Sequence, residues 1–380
     1  MNSLIYVIMM FLLWTVNLLN SSAVGRSIHI PEITRTIFFV AIIIVFLLKK
    51  NSLANAAINT KNNLIFGGLF LVFILVPLVN GYGWIALDYL WVFCAVYLLS
   101  LVPVDEHTLK IVGIGYAVLG GAVLIIYRFG SILSGWNPNS IAMIGFNSFL
   151  IFVISFYQLQ SLRGKLIIAL VAVVFILLIN NTDSRSCMLF IALGTMFALS
   201  IIPYKLLLGS KKVLLLWLVV PLLVAIVVVA VSKGPYMETL NKWSMEHFDK
   251  LFFSDRDKMW DWGFEEFYKR PIFGTGYSDG FNVHNSLLGC LIVYGITGSL
   301  FWISSFCSLL AKSFKYNYDS IVVGSAISFM LVYIQQSVEL GLLSFNPNVL
   351  PYIMLGIMLG RIRQLDTNSK EIDTIEPNQG

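Results

Sequence analysis

Three ionisable residues stand out in the few polar stretches of an otherwise apolar chain. Arg185 lies just before one apolar run, Arg256 begins a charged segment, and His284 precedes Asn285 at the start of another apolar run. The planar guanidinium of arginine binds phosphate through two donors, and histidine titrates near neutral pH. We therefore expect a site in which the arginines hold a departing phosphate while His284 takes a proton from a sugar hydroxyl. A purely structural role is the alternative for a histidine at a helix end.

Other ionisable residues are predicted to lie close to these three, at the ends of apolar runs. An ionisable residue beside an apolar run usually has a functional role. The further candidates for substrate binding are Arg35, Arg128, Arg270 and Glu339. Glu339 also competes with His284 as the general base, because a carboxylate can activate an acceptor hydroxyl instead. The other carboxylates in that competition are Asp255, Asp257 and Glu265.

The composition indicates a membrane protein. Hydrophobic residues make up 58% of the chain and charged residues 12%, and the mean hydropathy is +0.83. Soluble domains carry about 25% charged residues. The apolar runs are continuous, which indicates helices rather than the alternating strands of a barrel. We expect an all-α, polytopic membrane protein with about 12 transmembrane helices.

The cysteine spacing argues against a metal site, and the spread of charge argues against nucleic-acid binding. The four cysteines lack the paired spacing of a metal site and are predicted to be buried thiols. The net charge of +5 is spread over many loops, which argues against a nucleic-acid partner.

The apolar runs are arranged around one long polar segment. Residues 1–231 hold the spans before it, residues 232–283 form the long loop, residues 284–364 hold the last spans, and residues 365–380 form a polar tail predicted to be disordered. The predicted spans are Ser3–Leu19, Ile33–Leu48, Leu64–Val79, Trp84–Leu101, Lys110–Ile126, Asn139–Tyr157, Lys165–Ile179, Met188–Ile202, Val213–Val231, Asn285–Leu310, Ser320–Gly341 and Val349–Arg361.

The orientation of the spans follows from the short loops, because lysine and arginine favour the cytoplasm. With the N-terminus inside, most lysines fall in the inner loops, and the long loop lies on the extracytoplasmic side. Most arginines then face outward, where phosphate binding would select arginine over lysine. Chance over a small number of residues is the alternative explanation.

The long loop contains one segment with helical spacing. Trp260, Phe264 and Phe267 share a face of the predicted helix Asp257–Phe267. Such a face suits either the membrane interface or packing against the helix bundle, and the sequence leaves both open. Pro271 ends the helix, and the glycines that follow permit a tight turn. They are Gly274, Gly276 and Gly280.

The order of several short motifs resembles the O-antigen ligase and polymerase superfamily of polytopic glycan-assembly enzymes. The motifs span residues 180–298, and the resemblance extends over the whole chain by hydropathy. The similar pieces are Ser184-Arg185-Ser186, Arg256 followed by Trp260, Pro271-Ile272-Phe273-Gly274 with Gly276, and His284-Asn285 followed by Gly295 and Gly298.

The resemblance implies an activity and assigns roles to residues. It implies transfer of a glycan from an undecaprenyl-diphosphate-linked oligosaccharide, with inversion, and without nucleotide sugar, metal or other cofactor. It also implies a GT-C-like architecture in the bacterial inner membrane, with the active site facing the periplasm. Carried over by motif, Arg185 and Arg256 bind the diphosphate and His284 acts on the acceptor.

The nature of the acceptor separates the alternatives that the sequence leaves open. A polymerase transfers the glycan to another lipid-linked repeat unit and could work with a chain-length regulator protein. A ligase transfers the glycan to lipid A-core. We favour a polymerase, because the HNS-x-L and SRS forms are similar to those of repeat-unit polymerases. A polysaccharide transporter or flippase also fits about 12 helices, but it predicts two similar halves, and no internal repeat is evident.

Overall fold

The protein is helical throughout the part of the chain that the structure describes. The computed structural model describes residues 2–21, 60–81, 83–102, 104–130, 133, 136–157, 162–182, 184–248, 251–276, 282–339, 341–343 and 348–375, and no strand occurs in these ranges. The α-helices are α1 (Asn2–Ser21), α2 (Thr60–Val79), α3 (Gly83–Leu101), α4 (Glu106–Phe129), α5 (Pro138–Phe156), α6 (Leu162–Ile179), α7 (Arg185–Ala198), α8 (Lys205–Leu208), α9 (Lys211–Ser232), α10 (Met237–Phe248), α11 (Arg256–Lys269), α12 (Ser286–Leu310), α13 (Ser320–Gln335) and α14 (Val349–Ile375).

The helices follow the apolar runs of the sequence. Each predicted span overlaps a helix except Ile33–Leu48, which lies outside the described residues. Helix α7 ends at Ala198 and α13 at Gln335, short of the predicted Ile202 and Gly341. Within the described part, five helices are long and apolar enough to cross a membrane, by length and composition. They are Glu106–Phe129, Pro138–Phe156, Leu162–Thr182, Lys211–Ser232 and Ser286–Phe314, and shorter apolar helices accompany them. The chain is therefore a multi-pass membrane protein.

Helix α5 lies at the centre of the bundle because small residues let its neighbours approach closely. Ile141 to Ser155 are all buried. Gly113 and Gly120 of α4 face serines of α5, and a Cβ atom at Gly120 would lie 2.6 Å from the Cβ of Ser148. The Ser148 hydroxyl also accepts a hydrogen bond from the indole of Trp14 at 3.0 Å. Small-residue contacts of this kind pack helices where the hydrophobic effect cannot.

Helix α11 packs on the bundle rather than lying free at a membrane interface. It spans Arg256–Lys269, slightly longer than the predicted Asp257–Phe267. Trp260 is 1% exposed and its indole donates a hydrogen bond to the Val283 carbonyl. A Cβ atom at Gly263 would lie 3.0 Å from Leu288 of α12. Of the two interpretations that the sequence left open, packing against the bundle is confirmed for the Trp260 face.

Helix α12 is broken at Gly295, and the loop after α11 repairs the break. Gly295 has φ 67° and ψ −169°, far from helical values. The Ile292 and Val293 carbonyls accept hydrogen bonds from the Thr275 and Gly276 amides at 2.8 and 3.0 Å. In return, the Ile296 and Thr297 amides donate to the Pro271 and Ile272 carbonyls at 2.8 and 3.1 Å. The two carbonyls and two amides beside the break thus each find a partner in the loop, as buried backbone requires in a membrane.

Two glycines make this docking sterically possible. Gly274 has φ 74°, and a Cβ atom there would lie 2.3 Å from the Val293 carbonyl oxygen. A Cβ atom at Gly295 would lie 2.4 Å from the Ile272 carbonyl oxygen. The tight turn predicted after Pro271 is confirmed at Gly274 and Gly276, and Gly280 lies outside the described residues.

The last helix continues further than the apolar pattern suggested. The predicted final span ends at Arg361, and a disordered tail was expected from residue 365, whereas α14 runs on to Ile375. The carboxylate of Asp366 accepts hydrogen bonds from Lys315, at 3.1 Å, and from the Tyr316 hydroxyl. Polar contacts with the segment between α12 and α13 therefore accompany the helix beyond its apolar part.

Candidate active site

Glu339 is the centre of a polar cluster at the end of the bundle where α11 lies, which we call the loop end. Glu339 follows α13, and only 8% of its side chain is exposed. Its Oε1 accepts hydrogen bonds from Nη2 of Arg256 at 3.4 Å and from the Ser186 hydroxyl at 3.2 Å. Its Oε2 lies 3.8 Å from Nδ1 of His284. One buried carboxylate thus joins residues from distant parts of the chain.

Arg256 enters this cluster from the first turn of α11. Its Nε donates to the Val338 carbonyl at 3.0 Å, and its Nη2 forms the ion pair with Glu339. The preceding residue, Asp255, has φ 60°, so the chain turns sharply into the helix. These contacts hold the plane of the guanidinium, while the exposed quarter of the side chain leaves room for a ligand.

His284 reaches the cluster from the residues just before α12. It adopts φ 49°, which is unusual for a residue with a side chain and is held by the surrounding structure. Its Nδ1 is buried and makes no hydrogen bond to any described residue. The 3.8 Å to Glu339 is within ion-pair range but beyond hydrogen-bond range. Such separations in catalytic pairs shorten when substrate binds.

The neighbours of His284 fix its position. The indole of Trp260 donates to the carbonyl of Val283 on one side. On the other side, Asn285 caps α12 by accepting from the Leu288 amide at 3.0 Å, and its Nδ2 donates to the Pro221 carbonyl at 2.7 Å. His284 is therefore held between two anchored residues.

Helix α7 brings the Ser-Arg-Ser motif to the same place. Arg185 is its first residue and is exposed, and Ser186 contacts Glu339 directly. Gln335 of α13 donates to the Ser186 hydroxyl at 3.3 Å, which ties α7 to the end of α13. The sequence did not single out Ser186 as a site residue, although its place in the motif is a signal that could have done so.

The starts of α7 and α11 carry a further positive contribution. In the described structure, neither Ser184 nor Asp255 caps its helix through a side-chain hydrogen bond. The first amides of a helix carry a partial positive charge, which attracts anions. Each of these helices begins with an arginine, Arg185 or Arg256. The loop end therefore combines guanidinium groups with uncapped helix N-termini.

Two other predicted binding residues, Arg270 and Arg128, have described contacts outside the Glu339 cluster. Arg270 is at the opposite end of α11 from Arg256, and its Nη1 donates to the Asn80 side chain at 3.0 Å. Arg128 is exposed in the last turn of α4, with its guanidinium carbon 5.0 Å from the centre of the Phe129 ring. Arg35 lies outside the described residues. Among the described candidates, Arg256 and His284 are the two whose described contacts reach Glu339.

The competing carboxylates are less well placed than Glu339. Asp255 forms an exposed ion pair with Lys258 at 3.0 Å, with 60% of its side chain accessible. Glu265 is exposed on α11, and Asp257 is half-buried in its first turn. Glu339 is the carboxylate that contacts both Arg256 and His284.

Comparison with known proteins gives one family. Residues 169–303 match the family model described as O-antigen ligase. This part of the chain is similar to the O-antigen ligase family. The matched region contains the Ser-Arg-Ser motif, α11, the loop that repairs the break in α12, and His284. The predicted resemblance is confirmed. No curated protein matches the chain significantly.

The O-antigen ligase match does not reach every part of the cluster. It ends at residue 303, whereas Glu339 and the end of α13 follow it in the chain. The contacts from Glu339 to Ser186, Arg256 and His284 therefore join residues inside the matched region to a residue outside it.

Proposed function

We propose that this chain is a membrane glycosyltransferase that polymerises the repeat units of a surface polysaccharide. It transfers a glycan from an undecaprenyl diphosphate to a sugar hydroxyl of another lipid-linked unit. The observation that carries the proposal is the meeting of Arg256, His284 and Glu339 beside the start of α7, in a chain that matches the O-antigen ligase family.

The transfer needs one bond to form and one to break. The acceptor hydroxyl attacks the anomeric carbon of the donor sugar and forms the new glycosidic bond. The bond from that carbon to the diphosphate oxygen breaks with inversion, and the hydroxyl proton passes to the base. A diphosphate is a good leaving group, so the protein has to orient the acceptor and stabilise the developing negative charge.

Arginine residues at helix starts provide that stabilisation. Arg256 is held by Val338 and Glu339 and retains an exposed edge. Arg185 begins α7 next to Ser186, which contacts the same carboxylate. We assign the diphosphate of the donor to this place, where the uncapped amides of α7 and α11 add to the guanidinium charge.

His284 serves as the base, and Glu339 orients it. When Nδ1 carries its proton toward Glu339, Nε2 is free to accept the proton of the acceptor hydroxyl. The carboxylate then stabilises the imidazolium that forms, as in other histidine–carboxylate pairs. Glu339 also holds Arg256, so a single residue positions both the base and the phosphate-binding group.

Ligation to lipid A-core is the second candidate function. It is favoured by the description of the matched family, which names an O-antigen ligase. The same donor site and the same base serve both reactions, so the difference lies in the acceptor. The site is expected to face the periplasm from the inner membrane in both cases, and a polymerase could be assisted by a chain-length regulator.

The distribution of buried charge disfavours a transporter. Among the described residues, the buried charged side chains are Asp319, before the start of α13, and Glu339, after its end. Coupling-ion and proton sites of transporters lie near the middle of the membrane. Here the two carboxylates lie at opposite ends of one helix, as expected for an enzyme with its site at one end of the bundle.

A reconstituted assay tests the proposal. Purified protein in vesicles receives undecaprenyl-diphosphate-linked repeat units as the only substrate, and the products are separated by length. We expect a ladder of polymers from the unchanged protein. A product only after addition of lipid A-core would support the ligase, and absence of product with either acceptor would reject glycosyl transfer.

The site assignment is tested with single substitutions in the same assay. We expect Arg185→Ala, Arg256→Ala and His284→Ala each to lower the rate about 100-fold or more, because each removes a charge or proton acceptor used in the transition state. Arg256→Lys should remain slow, since a point charge cannot replace a bidentate guanidinium. Lys258→Ala is the matched control on the exposed side of α11 and should retain the normal rate. If all three alanine variants formed polymer of normal length at the normal rate, the assignment would be refuted.

A further inference from the structure

A groove with an arginine at its edge lies at the Arg270 end of α11. It has a volume of about 610 Å³ and runs between the last turns of α2 and the segment Pro271–Gly274. Its wall is formed mainly by the aliphatic side chains Leu75, Val76 and Val79 of α2, together with Ile272 and Phe273. Arg270 and Asn80 form its polar part.

The apolar wall of the groove is open to the surroundings. Val79 is 83% exposed, and Ile272 and Phe273 are 60% and 64% exposed. These residues lie on or beside α2, an apolar helix of a multi-pass membrane protein. Aliphatic surface of this kind faces lipid rather than water. The groove is therefore shaped to receive the hydrocarbon part of a membrane lipid.

The polar end of the groove suits an anionic headgroup. Arg270 is exposed, and its described side-chain hydrogen bond is to the neutral amide of Asn80. Its charge is therefore not neutralised by that partner. Arginine next to an apolar surface is a complementary partner for a lipid phosphate, because its planar fork binds the phosphate oxygens in pairs.

This groove is separate from the Glu339 cluster. Arg256 is the first residue of the 14-residue helix α11, and Arg270 directly follows its last residue. The two residues are therefore about 20 Å apart along the helix axis. The diphosphate that leaves during glycosyl transfer is attached directly to the reacting sugar. It must lie at the reaction centre and cannot also lie at Arg270.

We propose that the groove holds the second substrate, the acceptor lipid, with its diphosphate at Arg270 and its polyprenyl chain along α2. This inference rests on the proposed polymerase function. The acceptor of a polymerase carries its reactive hydroxyl on a sugar several residues away from its own diphosphate. The length of α11 between the two arginines gives the space that this oligosaccharide needs to reach His284.

Binding stoichiometry tests the proposal without requiring catalysis. Undecaprenyl diphosphate carrying one repeat unit is titrated onto the full chain in detergent, and bound lipids are counted by native mass spectrometry. We expect the unchanged protein to bind two lipids. Arg270→Ala should weaken one site about tenfold or more, as loss of a charge-assisted contact predicts, and Arg256→Ala should weaken the other.

Two controls separate this site from simpler explanations. Lys269→Ala removes the neighbouring exposed cation, which pairs with Glu266, and should leave both sites intact. Val79→Trp should obstruct the groove while leaving the charge of Arg270 in place. A single lipid on the unchanged protein, or no effect of either groove variant, would overturn the proposal. Displacement of the second lipid by an equal amount of phosphatidylglycerol would also overturn it, because it would show an ordinary phospholipid site.

A kinetic experiment then distinguishes the acceptor role from failure of the proposed function. One substrate has its terminal hydroxyl capped and can only donate, and the other is joined to its diphosphate through a carbon–phosphorus bond and can only accept. We expect Arg270→Ala to raise KM about tenfold for the second substrate only. An increase for the capped donor instead would reject the acceptor role. If the unchanged protein forms no product while two lipids bind, the groove stands and the polymerase function fails.

Discussion

The two ends of helix α11 place arginine in opposite surroundings. Arg256 is mostly buried and bonded to a backbone carbonyl and to the carboxylate of Glu339. Arg270 is exposed beside an apolar groove and bonded to the amide of Asn80. A guanidinium fixed by a buried carboxylate is organised in advance for charge that develops at one point. An exposed guanidinium beside aliphatic surface suits a lipid headgroup. Under our two proposals, the same residue type therefore serves chemistry at one end and anchoring at the other.

The largest effect that would sharpen this comparison comes from Glu339. Glu339→Ala removes the partner of Arg256 and the carboxylate that faces His284. We expect the transfer rate to fall about 1000-fold, as for removal of an orienting carboxylate from a catalytic histidine, while lipid binding at the Arg270 end is unchanged. The rate is measured in the vesicle assay and the binding by mass spectrometry. Asp261→Ala, which breaks an exposed pair with Lys233, is the control and should have little effect.

A glutamine at position 339 refines that result. Glu339→Gln keeps the shape and can still accept hydrogen bonds from Arg256 and Ser186, but it cannot stabilise an imidazolium by charge. A rate close to that of the unchanged protein would show that Glu339 has only a structural role. If a Glu339 variant lowered the transfer rate and the lipid binding at the Arg270 end by the same factor, the two ends of α11 would not have separate roles.

An effect of intermediate size, on stability, is expected from a substitution at the break in α12, where the loop after α11 is bonded. Gly295→Ala places a Cβ atom 2.4 Å from the Ile272 carbonyl oxygen at a residue with φ 67°. We expect a destabilisation of about 2 kcal/mol or more from the strained backbone and the displaced loop. Thermal unfolding in detergent measures it as a lower midpoint.

Gly121→Ala is the matched control for the break. Gly121 lies within the apolar helix α4, and a Cβ atom there meets nothing within 4 Å. Its unfolding midpoint should stay the same or rise, because alanine is favoured over glycine in a helix. Equal midpoints for the Gly121 and Gly295 variants would contradict the role of the loop in repairing α12.

The smallest effect is expected at Asn80. Asn80→Ala removes one exposed hydrogen bond to Arg270 and leaves the guanidinium in place. We expect an increase of about threefold in KM for the acceptor-only substrate, since such a bond is worth less than about 1 kcal/mol. KM for the capped donor should not change. A larger loss from Asn80→Ala than from Arg270→Ala would show that the groove, rather than the charge, determines binding.

The sequence predicted the elements of the loop well because their signals are local. The spacing of Trp260, Phe264 and Phe267 indicated α11, and Pro271 marked its end. Asn285 caps the following helix through its own side chain. Each of these features depends on residues within a few positions of one another.

The break in α12 was not predicted, although a local signal was present. The apolar run through Val293 and Ile296 reads as one continuous span. Gly295 and Gly298 within that run are the signal, because glycine inside an apolar helix often marks a close backbone approach. The run itself does not show which segment approaches the break. That segment is Pro271 to Gly276.

The candidate site was predicted in part. Arg256, His284 and Glu339 were expected at the same end of the bundle, and Glu339 pairs with each of the other two. Arg270 was grouped with the other phosphate-binding arginines, but it lies at the far end of α11. A predicted topology states on which side of the membrane a residue lies. It does not state where in the plane of the membrane the residue lies.

The sequence by itself determined the membrane class, the helical architecture and the chemical character of the loop. These follow from the length of apolar runs and from the residue types that interrupt them. Only the tertiary structure decided which arginine contacts Glu339 and which one lines a groove. Those contacts join residues more than 80 positions apart, as in Arg256 with Glu339, so they depend on how distant helices pack against one another.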